Sequence, residues 1–162
     1  MRAVSVITLF PLISQEESGN RIELCINYQS RSVIPALYAV EYDRYAALPQ
    51  RVRLAISEFL ADLKEKPILA VLFGSFARRD HHADSDIDIL LIYDDPKEKM
   101  IENSARKISQ RTDAKIAPVY IDYLTFKKQF HDQSSNFFKN MREDRLILAG
   151  IEWWRELINE EA

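Results

Sequence analysis

The most regular pattern of apolar and polar positions runs through QRVRLAISEFLADLKEK, residues 50–66. Val52, Ile56, Phe59, Leu60 and Leu63 recur there at spacings of three and four, which puts them on one stripe of a helix. Pro49 favours the start of that helix and Pro67 ends it. The pattern then changes: ILAVLF and DIDILLIY are almost unbroken apolar runs. Such runs predict strands covered on both faces, since a strand with one wet face would alternate. Helical spacing returns in PKEKMIENSARKISQR, with Met100, Ile101, Ala105 and Ile108 inward, and AKIAPVYID reads as a third strand. Beyond it the pattern predicts helix from Thr125 to about Glu143, a short strand or turn in RLILAG, and a closing helix in IEWWRELINEE. The fold class expected is α/β (α+β): a mixed sheet of the three strands, backed by the helices at about 50–66 and 97–111. That unit spans residues 49–162.

Residues 1–48 read as an appendage. VSVITLF and RIELCINY, separated by the turn-forming SGN, predict a ribbon. The helical stretch from Ser32 to Leu48 places Val33, Leu37, Val40 and Arg44 on one face. RIELCINYQSRSVIPALYAV loosely resembles the wing and following helix of a winged helix-turn-helix. No recognition helix precedes it, so groove reading would lack its usual element and a DNA partner is not expected. The segment is then a winged-helix remnant or a packing and dimerisation element, which would make a homodimer. Tyr28, Tyr38, Tyr42 and Tyr45 are core or interface edges on this reading.

Length and charge narrow the classes. A chain of 162 residues holds one main core plus a small module. Its formal net charge of -3 gives no bulk attraction to nucleic acid. Cys25, the single cysteine, cannot form an internal disulfide and reads as a small buried hydrophobe. No apolar run approaches the roughly 18 residues of a membrane span, and the apolar start carries one basic residue and no cleavage pattern. These features predict a cytoplasmic protein without a membrane partner.

The candidate chemistry lies in LFGSFARRDHHADSDIDILLIYDD, residues 72–95. Gly74 at a strand end permits close backbone approach, and Ser75 adds a hydroxyl where a short helix begins, an arrangement suited to phosphate oxygens. Asp86 and Asp88 lie two apart on one strand, hence on one face, with carboxylates roughly 6 to 7 Å apart. Two hard, like-charged ligands at that spacing suit Mg2+. Without a cation their repulsion raises the pKa of one. His81 and His82 are adjacent, and neighbouring residues rarely turn both imidazoles to one ion, so they are not expected to bind metal.

GSFARRDHHADSDIDILLI resembles the signature of the DNA polymerase beta-like nucleotidyltransferase superfamily, most closely its minimal nucleotidyltransferases. The likeness is strong from about Pro67 to Tyr93 and looser to about Trp154. It implies that Gly74, Ser75 and Ser85 hold a nucleoside triphosphate while Asp86 and Asp88 hold catalytic Mg2+. The implied reaction moves a nucleoside monophosphate from the triphosphate to a hydroxyl on a protein, an RNA or a small molecule. A third carboxylate from a neighbouring strand usually completes such sites. Asp122, ending KIAPVYID, is the candidate, on the expectation that its strand runs antiparallel to DIDILLIY; Asp113 is the alternative. Many relatives carry a second glycine where this chain has Arg79, so a positive φ there would strain it. Arg78 and Arg79 are either phosphate contacts or a solvated pair. The competing implication is a non-catalytic nucleotide-binding module paired with a helical, toxin-like protein, as antitoxin members of the family are.

Overall fold

The computed structural model describes residues 7–10, 12–18, 21–130 and 135–159, with side chains at 12–13, 26–130 and 135–159. The chain opens with an antiparallel three-stranded ribbon, β1 (Ile7–Phe10), β2 (Ile13–Ser18) and β3 (Arg21–Ile26), in which β2 pairs with both others. The expected ribbon therefore has a middle strand, ISQEES, whose polar sequence carries no strand signal of its own and is held by backbone pairing to β3. The expected burial of Cys25 lies outside the described side chains.

Helix α1 (Val33–Ala46) follows, and then α2 (Gln50–Asp62), entered through Pro49. After them come β4 (Leu69–Leu72), the five-residue α3 (Gly74–Arg78), β5 (Ile87–Tyr93), α4 (Glu98–Thr112) and β6 (Ile116–Asp122). The chain continues through α5 (Tyr123–Phe130), α6 (Asn136–Glu143), β7 (Leu146–Ala149) and α7 (Ile151–Asn159). The expected helix from Thr125 to Glu143 is thus α5 and α6, with residues 131–134 outside the described part. The domain is α/β, with a four-stranded mixed sheet ordered β6-β5-β4-β7.

The sheet has cover on both sides, as its unbroken apolar strands require. Ala70, Leu72, Ile87, Ile89 and Leu91 pack with Val52, Ile56 and Phe59 of α2 and Ile101 and Ile108 of α4. Leu69, Val71, Leu90 and Ile92 pack on the other face with Phe126, Phe130, Met141, Trp154 and Leu157 of the last three helices. Helix α1 closes the outer edge at β7, where the buried Glu41 carboxylate accepts the Ile147 N–H at 3.0 Å. This satisfies an edge group that would otherwise be left unpaired. Tyr38 Oη, on the same helix, donates to Glu152 of α7 at 3.1 Å.

Two expected core positions are on the surface. Val40 is 54% exposed and Met100 is 40% exposed. Each sits one helical step beside the stripe that packs: Val33, Leu37 and Glu41 in α1, and Ile101, Ser104, Ala105 and Ile108 in α4.

The pairing of β5 with β6 corrects a larger expectation. The two strands are parallel, not antiparallel. The reason is α4: a helix of 15 residues, about 22 Å long, carries the chain back to the end of the sheet where β5 began. A strand entered from that end must run alongside β5 in the same direction.

Candidate active site

Backbone geometry brings the two halves of the candidate motif together. Phe73 N–H donates to Asp88 O at 3.0 Å, extending the antiparallel β4–β5 ladder by one residue. The next residue, Gly74, has φ +71, and a Cβ there would lie 2.2 Å from Asp88 Oδ2. Only glycine leaves room for that carboxylate over the start of α3. Helix α3 ends after one turn at Arg79, which sits in the left-handed region at φ 64 and ψ 26. The strain expected from the sequence is thus present, costing roughly 1–2 kcal/mol relative to glycine. Arg79 N–H and Asp80 N–H both donate to Ser75 O.

The loop from α3 to β5 is held by its own polar groups. Ser85 Oγ accepts the His82 N–H at 2.8 Å, and Ser85 N–H donates to His82 O at 3.2 Å. Arg51 reaches across from α2 to the Ala83 carbonyl. His81 stacks on Phe76, ring centroids 4.4 Å apart, so its imidazole serves packing. Arg78 is exposed and pairs with Asp80 at 3.0 Å. Beside this loop a cleft of about 440 Å³ is lined by Arg51, Asp84, Asp86, Asp113 and Lys115 among others.

Asp88 is half-buried at the mouth of β5, and burial is the first cause pushing its pKa up. The Asp86 charge pushes the same way; Arg78 and Lys115 oppose both. A carboxylate held like this gains most from a nearby cation. One cation is already built in, because Lys115 Nζ donates to Asp86 Oδ2 at 2.6 Å. Lys115 was absent from the residues expected at the site. It stands just before the third strand, and a parallel register, which pairs Ile87 with Ile116, is what puts it next to Asp86.

Asp122 is not with them. In the parallel register Ala117 lies beside Asp88 and Asp122 beside Tyr93. Five residues of strand, about 17 Å, separate Asp122 from Asp88, and Asp86 lies farther still. Its carboxylate instead accepts the Thr125 N–H at 2.9 Å, capping α5, and that bond is the first cause holding its pKa below the usual range. Asp113 ends α4 at φ 51 and lines the cleft with Asp86. Among the described residues no three His, Cys, Asp or Glu side chains converge as metal ligands.

The profile of the nucleotidyltransferase domain family matches residues 55–149. A protein of Methanocaldococcus jannaschii, provisionally described as a protein adenylyltransferase, is 35% identical over 91 residues, covering 51% of this chain and 90% of that protein. Among solved structures, a chain of a toxin-antitoxin crystallised with AMP-PNP superposes with a TM-score of 0.48 at 24% identity, over 64% of this chain and 77% of that one. A mutant of the toxin-antitoxin MntA-HpeT gives 0.46 at 22% identity, over 63% and 75%. No helix among the described residues is long and apolar enough to cross a membrane.

Proposed function

The chain belongs to the nucleotidyltransferase domain family, and we propose that it transfers adenylate from ATP to a hydroxyl group of a protein, with Mg2+ as cofactor. The observation that carries this reading is the packing of Asp88 over Gly74, which unites the Gly-Ser turn with the Asp-x-Asp strand in one site. Family members in general use divalent metals, and the donor set suits one: two adjacent carboxylates, one of them half-buried and raised in pKa. Asp86 and Asp88 would hold the ion. When bound, Mg2+ supplies charge neutralisation at the α-phosphate and eases deprotonation of the acceptor.

The chain's own residues do the positioning. Gly74 leaves room for the Asp88 carboxylate at the start of α3, and the Ser75 hydroxyl donates to a phosphate oxygen. Ser85 keeps the loop closed so that Asp86 enters the strand in register. The acceptor oxygen bonds to the α-phosphorus as the bond to the bridging oxygen breaks, and pyrophosphate leaves with that electron pair. Most of the rate gain then comes from alignment and preorganised charge. The adenylyltransferase description of the archaeal relative favours ATP as donor and a protein as acceptor. We assign the catalytic unit to residues 49–162 and keep residues 1–48 as an appendage, in a cytoplasmic protein.

A second reading has one observation in its favour. Lys115 and Ala117 stand where β6 could have offered another carboxylate, which suits nucleotide binding without turnover, alongside a helical protein partner. Incubating the purified chain and candidate acceptor proteins with each of four α-labelled NTPs, with and without Mg2+, separates the two. Label on a protein and pyrophosphate release support transfer; retention of unreacted ATP supports the binding module.

A further inference from the structure

We infer that Phe137 of α6 is the stacking surface for the nucleobase, so that this helix forms the wall of the nucleotide site nearest the base. The inference rests on the nucleotide-binding reading above and names the residue that holds the base. It starts from the side of the sheet on which the aspartates lie. Ile87, Ile89 and Leu91 of β5 pack towards α2 and α4, whereas Leu90 and Ile92 pack towards the last three helices. Strand alternation puts Asp86 and Asp88 in phase with Leu90 and Ile92, on the side of α5, α6 and α7. Phe73, the residue before Gly74, packs on that same side. Cover there is incomplete: Val119, next to Leu90 in the β5–β6 register, is 42% exposed, and the neighbour of Asp88 is the small Ala117.

Helix α6 borders this open ground. In NFFKNMRE the buried stripe is Phe138 and Met141, and Phe137 lies beside it. The other residues off the stripe are polar or charged, yet Phe137 is a large apolar ring left 40% exposed. Its centroid is 5.3 Å from that of Phe73, edge to face, which fixes the ring against the residue that leads into the Gly-Ser turn. Asp144, two turns further along the same flank, ends near Arg78: the hydrogen bond to Asp80 is the first cause raising the Arg78 pKa, and the charges of Asp144 and Asp88 add to it. Both ends of the flank thus lie along α3, the helix that starts with Gly74 and Ser75. A nucleotide whose phosphates meet Ser75 and Asp88 carries its base one ribose away from the α-phosphate. A fixed ring, partly open to water beside that turn, gains by stacking on the base, because every base offers a π face.

Titrating the full chain, in the presence of Mg2+, with ATP and with inorganic tripolyphosphate tests this, since the second ligand has the phosphates without the base. Phe137→Ala should bind ATP about 10-fold more weakly, within the range for one lost aromatic stack, and should keep its affinity for tripolyphosphate. Phe137→Trp, which restores a π face, should bind ATP at least as well as the wild-type chain. Unchanged ATP affinity in Phe137→Ala would overturn the inference while leaving nucleotide binding intact. So would an equal loss for both ligands, which would make the ring a packing partner of Phe73 and nothing more. If circular dichroism shows Phe137→Ala unfolded, or tripolyphosphate binds too weakly to titrate, Phe137→Leu decides: it keeps apolar volume without a π face, and wild-type ATP affinity there rejects the stack. A wild-type chain that binds neither ligand removes the nucleotide reading itself, and this inference with it.

Discussion

The two ends of the β5–β6 pair carry the same residue type in opposite electrostatic states. At the entry end, Asp88 is half-buried beside Asp86 and its pKa is raised, by burial first. At the exit end, Asp122 accepts a backbone N–H from the first turn of α5 and its pKa is lowered. An aspartate whose N–H donors are supplied locally is finished as a structural cap. An aspartate set against a second carboxylate still needs a cation, and this difference separates a site from a turn.

The comparison breaks most visibly if charge is removed at the entry end. Replacing Asp86 and Asp88 together by Asn should lower Mg2+-dependent ATP affinity by about 100-fold or more, since both ligand charges are lost. Asp122→Asn, which preserves a cap, should leave that affinity unchanged; calorimetric titration of the two variants reads both outcomes.

Glycines give the next largest effect. Gly74→Ala should cost roughly 2 kcal/mol or more in urea denaturation, since positive φ and the contact with Asp88 act together. It should also displace Asp88 and weaken nucleotide binding. Gly150→Ala, with φ +80 and a Cβ that would lie 2.1 Å from Ile68 O, should destabilise comparably yet spare binding in the folded fraction. Equal binding losses in the two would show that Gly74 serves stability alone.

Arg79→Gly should stabilise by about 0.5–1 kcal/mol, because relief of the left-handed strain exceeds the extra entropy of an unfolded glycine. Without divalent cations, Asp88→Asn should also stabilise at neutral pH, by less than ~1 kcal/mol because solvent reaches the carboxylate and screens it. The sign follows from the raised pKa: the wild-type chain is favoured below the ordinary aspartate value of 3.8 and loses that stability as pH rises through the folded value. The gap between wild type and Asp88→Asn should therefore close in acid. The smallest effect is expected at the exit end. Asp122→Ala should lower the melting temperature slightly at neutral pH. Because its pKa is depressed, that stabilisation exists above 3.8 and vanishes as pH falls through the folded value. Thermal melts across pH should show the two aspartates responding with opposite sign.

Much of this is legible in the sequence. The apolar runs of β4 and β5 predict strands covered twice, and the stripe of α2 predicts the helix that covers one side. Gly74, Ser75, Asp86 and Asp88 stand out by residue type and spacing, and Arg79 announces its own strain. All of these are local: period, side-chain size and backbone sterics act within a few residues, so the local sequence determines them. Which strands become neighbours, and in which direction, is not local. The length of α4 and the burial of both sheet faces jointly decide that β6 runs parallel to β5. That one choice sends Asp122 to the far end of the sheet and brings Lys115 to Asp86. Whether a charged residue serves the site or a cap depends on register between segments about 30 residues apart, and only the packed tertiary structure sets that register.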